Sequence, residues 1–416
     1  MTDTPTPTPP TGRGALHRRE ARLAWGLLLP TVISVSLVVI LPLLAIFWIS
    51  FKPVGLADLR PTAPVVRESL RGSGEDLRIE YRLRNSSQDK EIRGVTLTDT
   101  LPDTVVVGEG LPEFCTLSGR ALRCDYGDIS GGFNERFALP ITLAPGADED
   151  AVEDVVEGSL PRITGEGDSI LTNAEFTLEN FARIFDADEF WGVLGVTMFY
   201  TVFGTLGALL FGLFAALLLN KSFRGQGILR GLYLFPYVAP VIAVAFTWVT
   251  LFDPFSGSAN ALLIQMGVTN EAINFFGQRP LALIMVTVFE IWRYFPLSFL
   301  FILARMQSID TDMYEAADMD GASPFQKFWY LSLPMLVGIL SVLFLLRFIW
   351  TFNKFDDIFL LTGGNAGTRT LTVNVYEQAF AVSNIGAGAA VAVVIFGCLL
   401  LFSVLFFRFI SREEGL

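Results

Sequence analysis

Six long apolar segments constrain this chain of 416 residues more than any other feature. A bilayer core of about 30 Å needs roughly 20 apolar residues per helix, and hydrophobic residues make up 52% of the chain. The pattern predicts an all-α polytopic membrane protein. The six expected transmembrane helices cover residues 23–51, 191–219, 229–252, 281–304, 335–355 and 387–410.

Lysine and arginine residues in the short connections predict the orientation. They precede the first expected span, follow the second, the fourth and the sixth, and so lie on one side of six spans. The positive-inside rule makes that side cytoplasmic. We therefore expect both termini in the cytoplasm, and a retained first span instead of a cleaved signal peptide. The basic residues concerned are Arg13, Arg18, Arg19, Arg22, Lys221, Arg224, Arg230, Arg305, Lys327, Arg408 and Arg412.

Residues 58–165, between the first two expected spans, follow a different pattern. Apolar and polar residues alternate over 77–83, 95–98 and 137–143, which is typical of half-buried antiparallel strands. About a hundred residues with some seven short strands fit a small β-sandwich. Residues 52–189 carry 27 acidic and 14 basic side chains, so we expect an acidic extracytoplasmic module that does not bind nucleic acid.

Two cysteines lie within this β-rich segment. Cys115 and Cys124 flank Ser118 and Gly119, so they could face each other across a hairpin. An oxidising compartment permits a disulfide between them. The alternative is a pair of free cysteines that pack as small apolar residues. Cys398 lies in the last expected span, where we expect it to pack.

A short polar island separates the fourth and fifth expected spans. Asp312 and Glu315 have the spacing of a capping box, and Gly321 suits a helix end. Ser323 then begins a second capping sequence. The sequence thus predicts two abutting helices within residues 305–334, which form either an ordinary connection or a rigid knob that a partner protein can grip.

The polar island resembles the EAA loop of ABC-importer permeases. In that family E-A-A is followed by a glycine four residues after the second alanine and later by Leu-Pro. The resemblance implies that the loop is cytoplasmic and docks on the ATP-hydrolysing subunits. The matching residues are Glu315, Ala316, Ala317, Asp320, Gly321 and Pro334.

The second half of the chain is similar to the carbohydrate-uptake branch of these permeases, the maltose type. Matching segments are 177–181, 361–365 and 376–380, although Asn365 follows Gly363 and Gly364 where the family usually has proline. The resemblance implies a cytoplasmic tail over 1–22, a first helix over 23–51 and a five-helix core over 176–411. The insert at 58–165 resembles immunoglobulin-like modules. Some maltose-type permeases carry such a module in this position, where it touches the soluble binding protein.

Charged and aromatic residues inside the expected spans are candidates for a solute pathway. A charge costs roughly 2.5–3.5 kcal/mol on insertion scales, so intramembrane charges point to function by default. Arg347, Thr351 and Lys354 share one helix face, while Glu290 and Arg293 lie one turn apart and could pair. The alternatives are a purely structural Glu290–Arg293 pair and a lysine that only reaches the interface. The candidate pathway residues are Tyr294, Arg293, Arg347, Trp350, Thr351, Asn353 and Lys354.

The sequence lacks the motifs of a catalyst. It contains no G-x-x-x-x-G-K-[ST] phosphate loop, and its single histidine, His17, cannot supply a catalytic triad or a Cys/His metal cluster. We therefore expect neither enzymatic activity nor a cofactor or metal. The energy for solute transport must therefore come from a partner protein.

Taken with the resemblance, the residues predict the permease subunit of an ABC importer for a sugar or sugar-like solute in a bacterial inner membrane. The implied partners are a second related permease, a cytoplasmic ATPase dimer and an extracytoplasmic solute-binding protein. One alternative is a permease for a polyol, glycerol phosphate or peptide. The other is a membrane receptor that displays an immunoglobulin-like domain.

Overall fold

The computed structural model describes residues 15–60, 62–108, 110–171, 173–185 and 189–410, without the side chains of 15–19, 21, 75 and 410. Arg13, Arg412 and most of the expected N-terminal tail lie outside the described residues, as do the side chains of His17, Arg18 and Arg19. The chain divides into a helical unit and a β-rich unit. The helical unit contains Phe181–Val375 with the chain before Lys52 and after Gly388, and the β-rich unit contains Lys52–Asn180 and Tyr376–Gly388.

Helices account for most of the chain. Their bounds are α1 Ala15–Val35, α2 Leu41–Ser50, α3 Glu149–Glu157, α4 Glu179–Phe185, α5 Glu189–Leu219, α6 Gln226–Val238, α7 Val241–Leu251, α8 Ser258–Gln265, α9 Leu281–Gln307, α10 Thr311–Met319, α11 Pro324–Lys327, α12 Leu333–Phe352, α13 Asp356–Thr362, α14 Leu371–Tyr376 and α15 Ile385–Ile410. Within the described residues, five continuous helical stretches are long and apolar enough to cross a membrane. They are Arg22–Ser50, Glu189–Leu219, Leu281–Gln307, Pro324–Phe352 and Ile385–Phe409. In the fourth, a π turn at Phe328–Ser332 joins α11 to α12.

The third expected span, 229–252, is broken. Helices α6 and α7 occupy it and meet at an angle of 89°. Ala239 between them is extended, with ψ 142°, because Pro240 disfavours helical conformation in the residue before it and has no N–H to continue the ladder. The expectation of one continuous helix there was wrong.

The first expected span contains a local widening. A π turn at Ser36–Ile40 joins α1 to α2. Pro42 follows it, and a proline ring clashes with the carbonyl four residues before it, which here belongs to Val38. The wider turn relieves that clash without ending the helix.

Helices α5 and α9 approach each other closely through glycines. A Cβ added at Gly204 would lie 2.9 Å from Glu290 Cγ, and one at Gly207 would lie 2.3 Å from Ile291 Cδ1. At Gly212 an added Cβ would lie 2.6 Å from the Cβ of Ser298. The absence of side chains on this stripe of α5 lets α9 pack directly against its backbone.

Helices α10 and α11 form the predicted pair of abutting helices, which we call the knob (residues 311–327). Helix α10 begins two residues earlier than expected, because the side chain of Asp310 accepts a hydrogen bond from the N–H of Asp312 at 3.1 Å. Gly321, with φ 76°, ends it as predicted. The N–H of Ala322 reaches the carbonyl of Ala317 at 2.9 Å, which completes a Schellman motif.

The second capping sequence of the knob is confirmed. Ser323 accepts from the N–H of Gln326 at 3.3 Å, and Gln326 Oε1 accepts from the N–H of Ser323 at 2.8 Å. Lys327 on α11 then pairs with Asp318 on α10 at 2.5 Å. The two helices are thus fixed to each other by caps and by an ion pair.

The β-rich unit contains two antiparallel sheets of four strands each. The strands are β1 Pro64–Arg71, β2 Arg78–Asn85, β3 Ile92–Thr100, β4 Val105–Val107, β5 Cys115–Ser118, β6 Ala121–Ile129, β7 Asn134–Leu143 and β8 Arg162–Gly167. The first sheet has the order β1-β2-β7-β4, and the second has β5-β6-β3-β8. The alternating segments of the sequence fall on β2, β3 and β7.

One apolar cluster joins the buried faces of both sheets. Tyr81 and Leu139 of the first sheet and Leu97 of the second belong to it, as do Val152 and Val156 of helix α3. Helix α3 was not expected, because its acidic residues outnumber its apolar ones. Cys115 and Cys124 lie opposite each other on β5 and β6, and their sulfurs are bonded.

Two carboxyl groups share the hydroxyl of Tyr81 in this unit. Tyr81 donates to Asp99 Oδ2 at 2.5 Å and to Glu68 Oε1 at 3.4 Å, and Ser159 donates to the other oxygen of Glu68. Burial raises the pKa of Glu68 to about 7. The Ser159 hydrogen bond opposes that rise, and the charge of Asp99 adds to it.

The stability of β1 and β2 should therefore fall as the pH rises from about 4.5 to about 7. Because the folded pKa of Glu68 lies above its ordinary value of 4.5, the folded state holds the proton more tightly. That stabilisation is complete at low pH and is lost as the pH passes the folded value. Hydrogen exchange on the full protein, corrected for intrinsic exchange rates, measures the free energy of opening of β1 and β2. That free energy should fall by about 1–2 kcal/mol over this pH range, after allowance for solvent screening.

Glu68→Gln should remove this pH dependence, because the amide does not titrate in this range. Glu113→Gln, at an exposed carboxyl of the same unit, is the matched control and should keep it. Equal pH dependence in the parent and in Glu68→Gln would assign the effect to another group.

Candidate functional site

Glu290 on α9 is the centre of a buried polar network between α5, α9 and α12. Its side chain is fully buried. Arg347 Nη2 donates to Oε1 at 2.6 Å, Thr351 donates to the same oxygen at 2.9 Å, and Tyr200 donates to Oε2 at 3.0 Å. The carboxylate is therefore held by three donors, and the missing side chain at Gly204 leaves room for it.

Arg293 does not pair with Glu290, so that sequence expectation was wrong. Its guanidinium donates to the carbonyl oxygens of Pro236 at 3.2 Å and Ala239 at 3.1 Å. Both carbonyls lie at the break between α6 and α7. The side chain thus donates to backbone carbonyls that have no helical N–H partner. An unsatisfied backbone carbonyl inside a membrane costs several kcal/mol.

Cations surround the ring of Tyr294. Lys354 Nζ lies 4.3 Å from the ring centroid and Arg347 Cζ lies 4.7 Å from it, within the range of cation–π contacts. Tyr237 meets Tyr294 edge-on, with centroids 6.1 Å apart. The faces of this ring are therefore engaged by protein cations in this conformation.

A small cavity opens beside this network. Its volume is 110 Å³, which corresponds to a few water molecules at about 30 Å³ each. Trp350 is 52% exposed and forms part of its wall. The lining residues are Tyr237, Glu290, Tyr294, Leu297, Arg347, Trp350, Thr351 and Lys354.

Five of the seven predicted pathway residues line this cavity. The two others do not: Arg293 lies at the helix break, and Asn353 donates to the carbonyl of Ile349 at 2.9 Å at the end of α12. Tyr237 and Leu297 line the cavity without having been predicted, and Tyr200 supports Glu290. The prolines at 236 and 240 could have marked Tyr237 as lying at a helix break.

Lys354 is held by acidic residues at the end of the network, so it does more than reach the interface. Its Nζ lies 3.5 Å from Asp356 Oδ1 and 3.9 Å from Asp357 Oδ2. Asp357 is fully buried, and neither of its carboxylate oxygens has a hydrogen-bond partner among the described residues. Lys354, Arg347 and Glu290 line the cavity and give it a strongly polar wall that can bind hydroxyl or anionic groups of a solute. Asp356 and Asp357 contact Lys354 from outside that lining.

The knob provides a second candidate surface. Glu315 is exposed at the middle of α10, and Met319 near its end is 89% exposed. Phe325 of α11 is also exposed, as is Tyr330 just after the knob. Large apolar side chains on a capped, rigid element are suited to contact with another protein.

The helical part of the chain is similar to known transport proteins. Residues 208–413 match the family model described as the binding-protein-dependent transport system inner membrane component. The inner membrane ABC transporter permease protein YcjO of Escherichia coli is 35% identical over 229 residues, which cover 55% of this chain and 76% of that protein. The trehalose/maltose transport system permease protein MalF of Thermococcus litoralis is 32% identical and covers 56% of this chain and 78% of its own length.

A solved structure has the same helical fold. A bacterial alginate ABC transporter, crystallised in complex with an alginate-bound periplasmic protein, aligns with a TM-score of 0.54 at 19% identity. The alignment covers 57% of this chain and 83% of that one. The chain is therefore a multi-pass inner-membrane protein and belongs to the family of permease subunits of binding-protein-dependent ABC importers.

Proposed function

We propose that this permease moves a sugar or sugar-like solute inward by alternating access. The observation that carries the proposal is the cavity between α6, α9 and α12, where an exposed tryptophan lies beside hydroxyl and charged groups. Trp350 offers a flat apolar surface for the C–H face of a sugar, while Thr351 and Lys354 offer hydrogen-bonding groups. Related proteins carry names that include trehalose, maltose and sulfoquinovosyl glycerol transport, which supports this solute class.

The knob is the proposed coupling element. We infer that Glu315, Ala316, Ala317, Asp320 and Gly321 dock on one subunit of a cytoplasmic ATPase dimer. The caps and the Lys327–Asp318 pair make α10 and α11 a rigid lever. Closure of the ATPase dimer would then move the spans without this chain binding ATP itself.

The proposed arrangement has six spans, with the bent pair α6–α7 as the third and both termini in the cytoplasm. Residues 1–22 then form a tail, 23–51 the first span and 176–411 the core, with the coupling loop at 305–334. A second related permease completes the translocation path.

The segment 58–165 is the proposed extracytoplasmic module, of immunoglobulin-like type. The sheet order β1-β2-β7-β4 supports this proposal, because it resembles the A-B-E-D sheet of such sandwiches. We propose that the module docks the solute-binding protein, since a passive connection between two spans would need no shared core of two sheets.

A solute with an anionic group is a second candidate. Arg347 and Lys354 both line the cavity, against one lining carboxylate, Glu290. Among the non-sugar solutes, the two lining cations favour glycerol phosphate over a neutral polyol or a peptide, and Asp356 and Asp357 outside the lining offset part of the charge of Lys354. A receptor that uses its helices only as an anchor has no need for a charged network within them.

Trp350→Ala should lower the rate of solute uptake about two- to tenfold, while ATP hydrolysis without solute continues at its parent rate. The loss is expected because aromatic stacking contributes about 0.5–1.5 kcal/mol beyond simple burial. Uptake of radiolabelled sugar by the reconstituted importer measures it. Trp191→Ala, an exposed tryptophan at the start of α5, is the matched control, and a loss of the same size in both variants would remove the cavity from the pathway.

A further inference from the structure

The outer face of the first sheet carries an unusual concentration of arginine. Along β2 the residues Ile79, Tyr81 and Leu83 are buried, so the residues between them point away from the core. The same alternation exposes one face of β1 and of β7. We call this surface the arginine face, and its arginines are Arg67, Arg71, Arg78, Arg82, Arg84 and Arg136.

The strand register places these arginines side by side. Arg67 of β1 lies opposite Arg82 of β2, and Arg82 lies opposite Arg136 of β7. In a second row Arg71 lies opposite Arg78. Neighbouring strands are about 4.8 Å apart, and like charges directly opposite each other destabilise a sheet. Repulsion between these arginines therefore lowers the stability of the folded module.

Little within the unit neutralises the face. Glu80 pairs with Arg136 at 3.4 Å, and Asn134 accepts from Arg82 Nε at 3.0 Å. The four other arginines have no ion pair with a described residue. This contrasts with the sequence of residues 52–189, where acidic side chains outnumber basic ones by 27 to 14. Six of those 14 basic residues lie on this one surface.

An apolar strip borders the arginines. Pro140 of β7 lies opposite Arg78, and Ala138 lies opposite Glu80; both are exposed. Val106 on the edge strand β4 is also exposed. Arginines beside an apolar strip on a flat sheet fit a folded protein partner, because protein interfaces are enriched in arginine and combine it with apolar contacts. Lipid headgroups or a polyanionic glycan would use the charges alone.

We propose that the arginine face is the docking surface for an acidic patch on the extracytoplasmic solute-binding protein. This inference rests on the proposed function of the module and specifies which surface makes the contact. It assigns the attraction to basic groups of this chain, although the sequence predicts an acidic module. Charge complementarity of this kind mainly accelerates association and is screened by salt.

The test uses the assembled importer in nanodiscs and its solute-binding protein, fluorescently labelled, as the probe. In the triple variant Arg67→Gln, Arg82→Gln, Arg136→Gln the affinity at low salt should fall at least tenfold. Most of that loss should lie in the association rate, and the salt dependence should become shallower. The matched control Arg93→Gln, Arg123→Gln, Arg162→Gln removes the same charge from exposed positions of the second sheet, and its affinity should stay within twofold of the parent.

Further arms separate the alternatives. Replacing residues 60–165 by a short Gly/Ser bridge should weaken binding at least as much as the triple variant. If that deletion leaves the affinity unchanged, the module does not dock the binding protein at all. If the deletion weakens binding and the triple variant does not, docking occurs through another surface. The proposal would also be overturned if the triple variant kept its affinity for the solute-binding protein and lost binding only to phosphatidylglycerol vesicles or to soluble polyuronate.

Discussion

Gly321→Pro should reduce ATP-driven solute uptake at least tenfold while the protein remains inserted in the membrane. Gly321 has φ 76°, whereas proline is fixed near −65° and has no N–H. The substitution therefore removes the bond from this N–H to the carbonyl of Asp318 and redirects α11 relative to α10. Uptake by proteoliposomes that contain the complete importer measures the effect.

Two further variants separate the loss of the turn at Gly321 from the loss of the contact at Glu315. Gly321→Asn should keep at least half of the uptake, because asparagine tolerates the left-handed conformation. Glu315→Lys leaves the turn intact and reverses an exposed charge, so it should weaken association with the ATPase subunits in co-purification. Parent-level uptake in both Gly321→Pro and Glu315→Lys would show that the knob does not transmit the closure of the ATPase dimer.

Arg347→Met should lower the free energy of unfolding by about 3–5 kcal/mol, the usual cost of leaving one buried charge without its partner. Glu290 would then keep only Thr351 and Tyr200 as donors. Denaturant titration in mixed micelles, followed by tryptophan fluorescence, measures the change. Arg305→Met, at an exposed arginine of α9, is the control and should change stability by less than about 1 kcal/mol.

The double variant Glu290→Gln, Arg347→Met should recover at least about 2 kcal/mol relative to the sum of the two single variants, because it removes both charges. Strict additivity of the two losses would show that the pair does not act as a unit. Uptake by the double variant should remain low even where stability returns, since the polar wall of the cavity has been lost.

The knob shows what could be predicted from the sequence. Its caps are local, so Ser323 and Gly321 could be assigned from residues a few positions away. Only the start of α10 was misplaced, because Asp310 and Asp312 are both good caps and the geometry selects the first. Arg347, Trp350 and Thr351 of α12, with Lys354 just after its end, could likewise be predicted, since residues spaced three and four apart share a helix face.

The pairing of Glu290 could not be predicted in the same way. Arg293 is one turn away on the same helix, whereas Arg347 is 57 positions along the chain. Only the packing of α12 against α9 decides between them. The arginine face has the same origin: its rows depend on which strands are neighbours, and that register is not visible in the alternation of a single strand.

The glycine stripe on α5 has a consequence for how the permease can move. Packed helices usually shift past each other by small changes in the side chains between them. Where Gly204, Gly207 and Gly212 meet α9, only α9 contributes side chains to the contact, those of Glu290, Ile291 and Ser298, so sliding would press these side chains into the backbone of α5. We therefore expect α5 and α9 to move together as one rigid body during transport. The parts left to bend are then those with interrupted helical geometry, above all the right-angled joint between α6 and α7 that Arg293 holds in place.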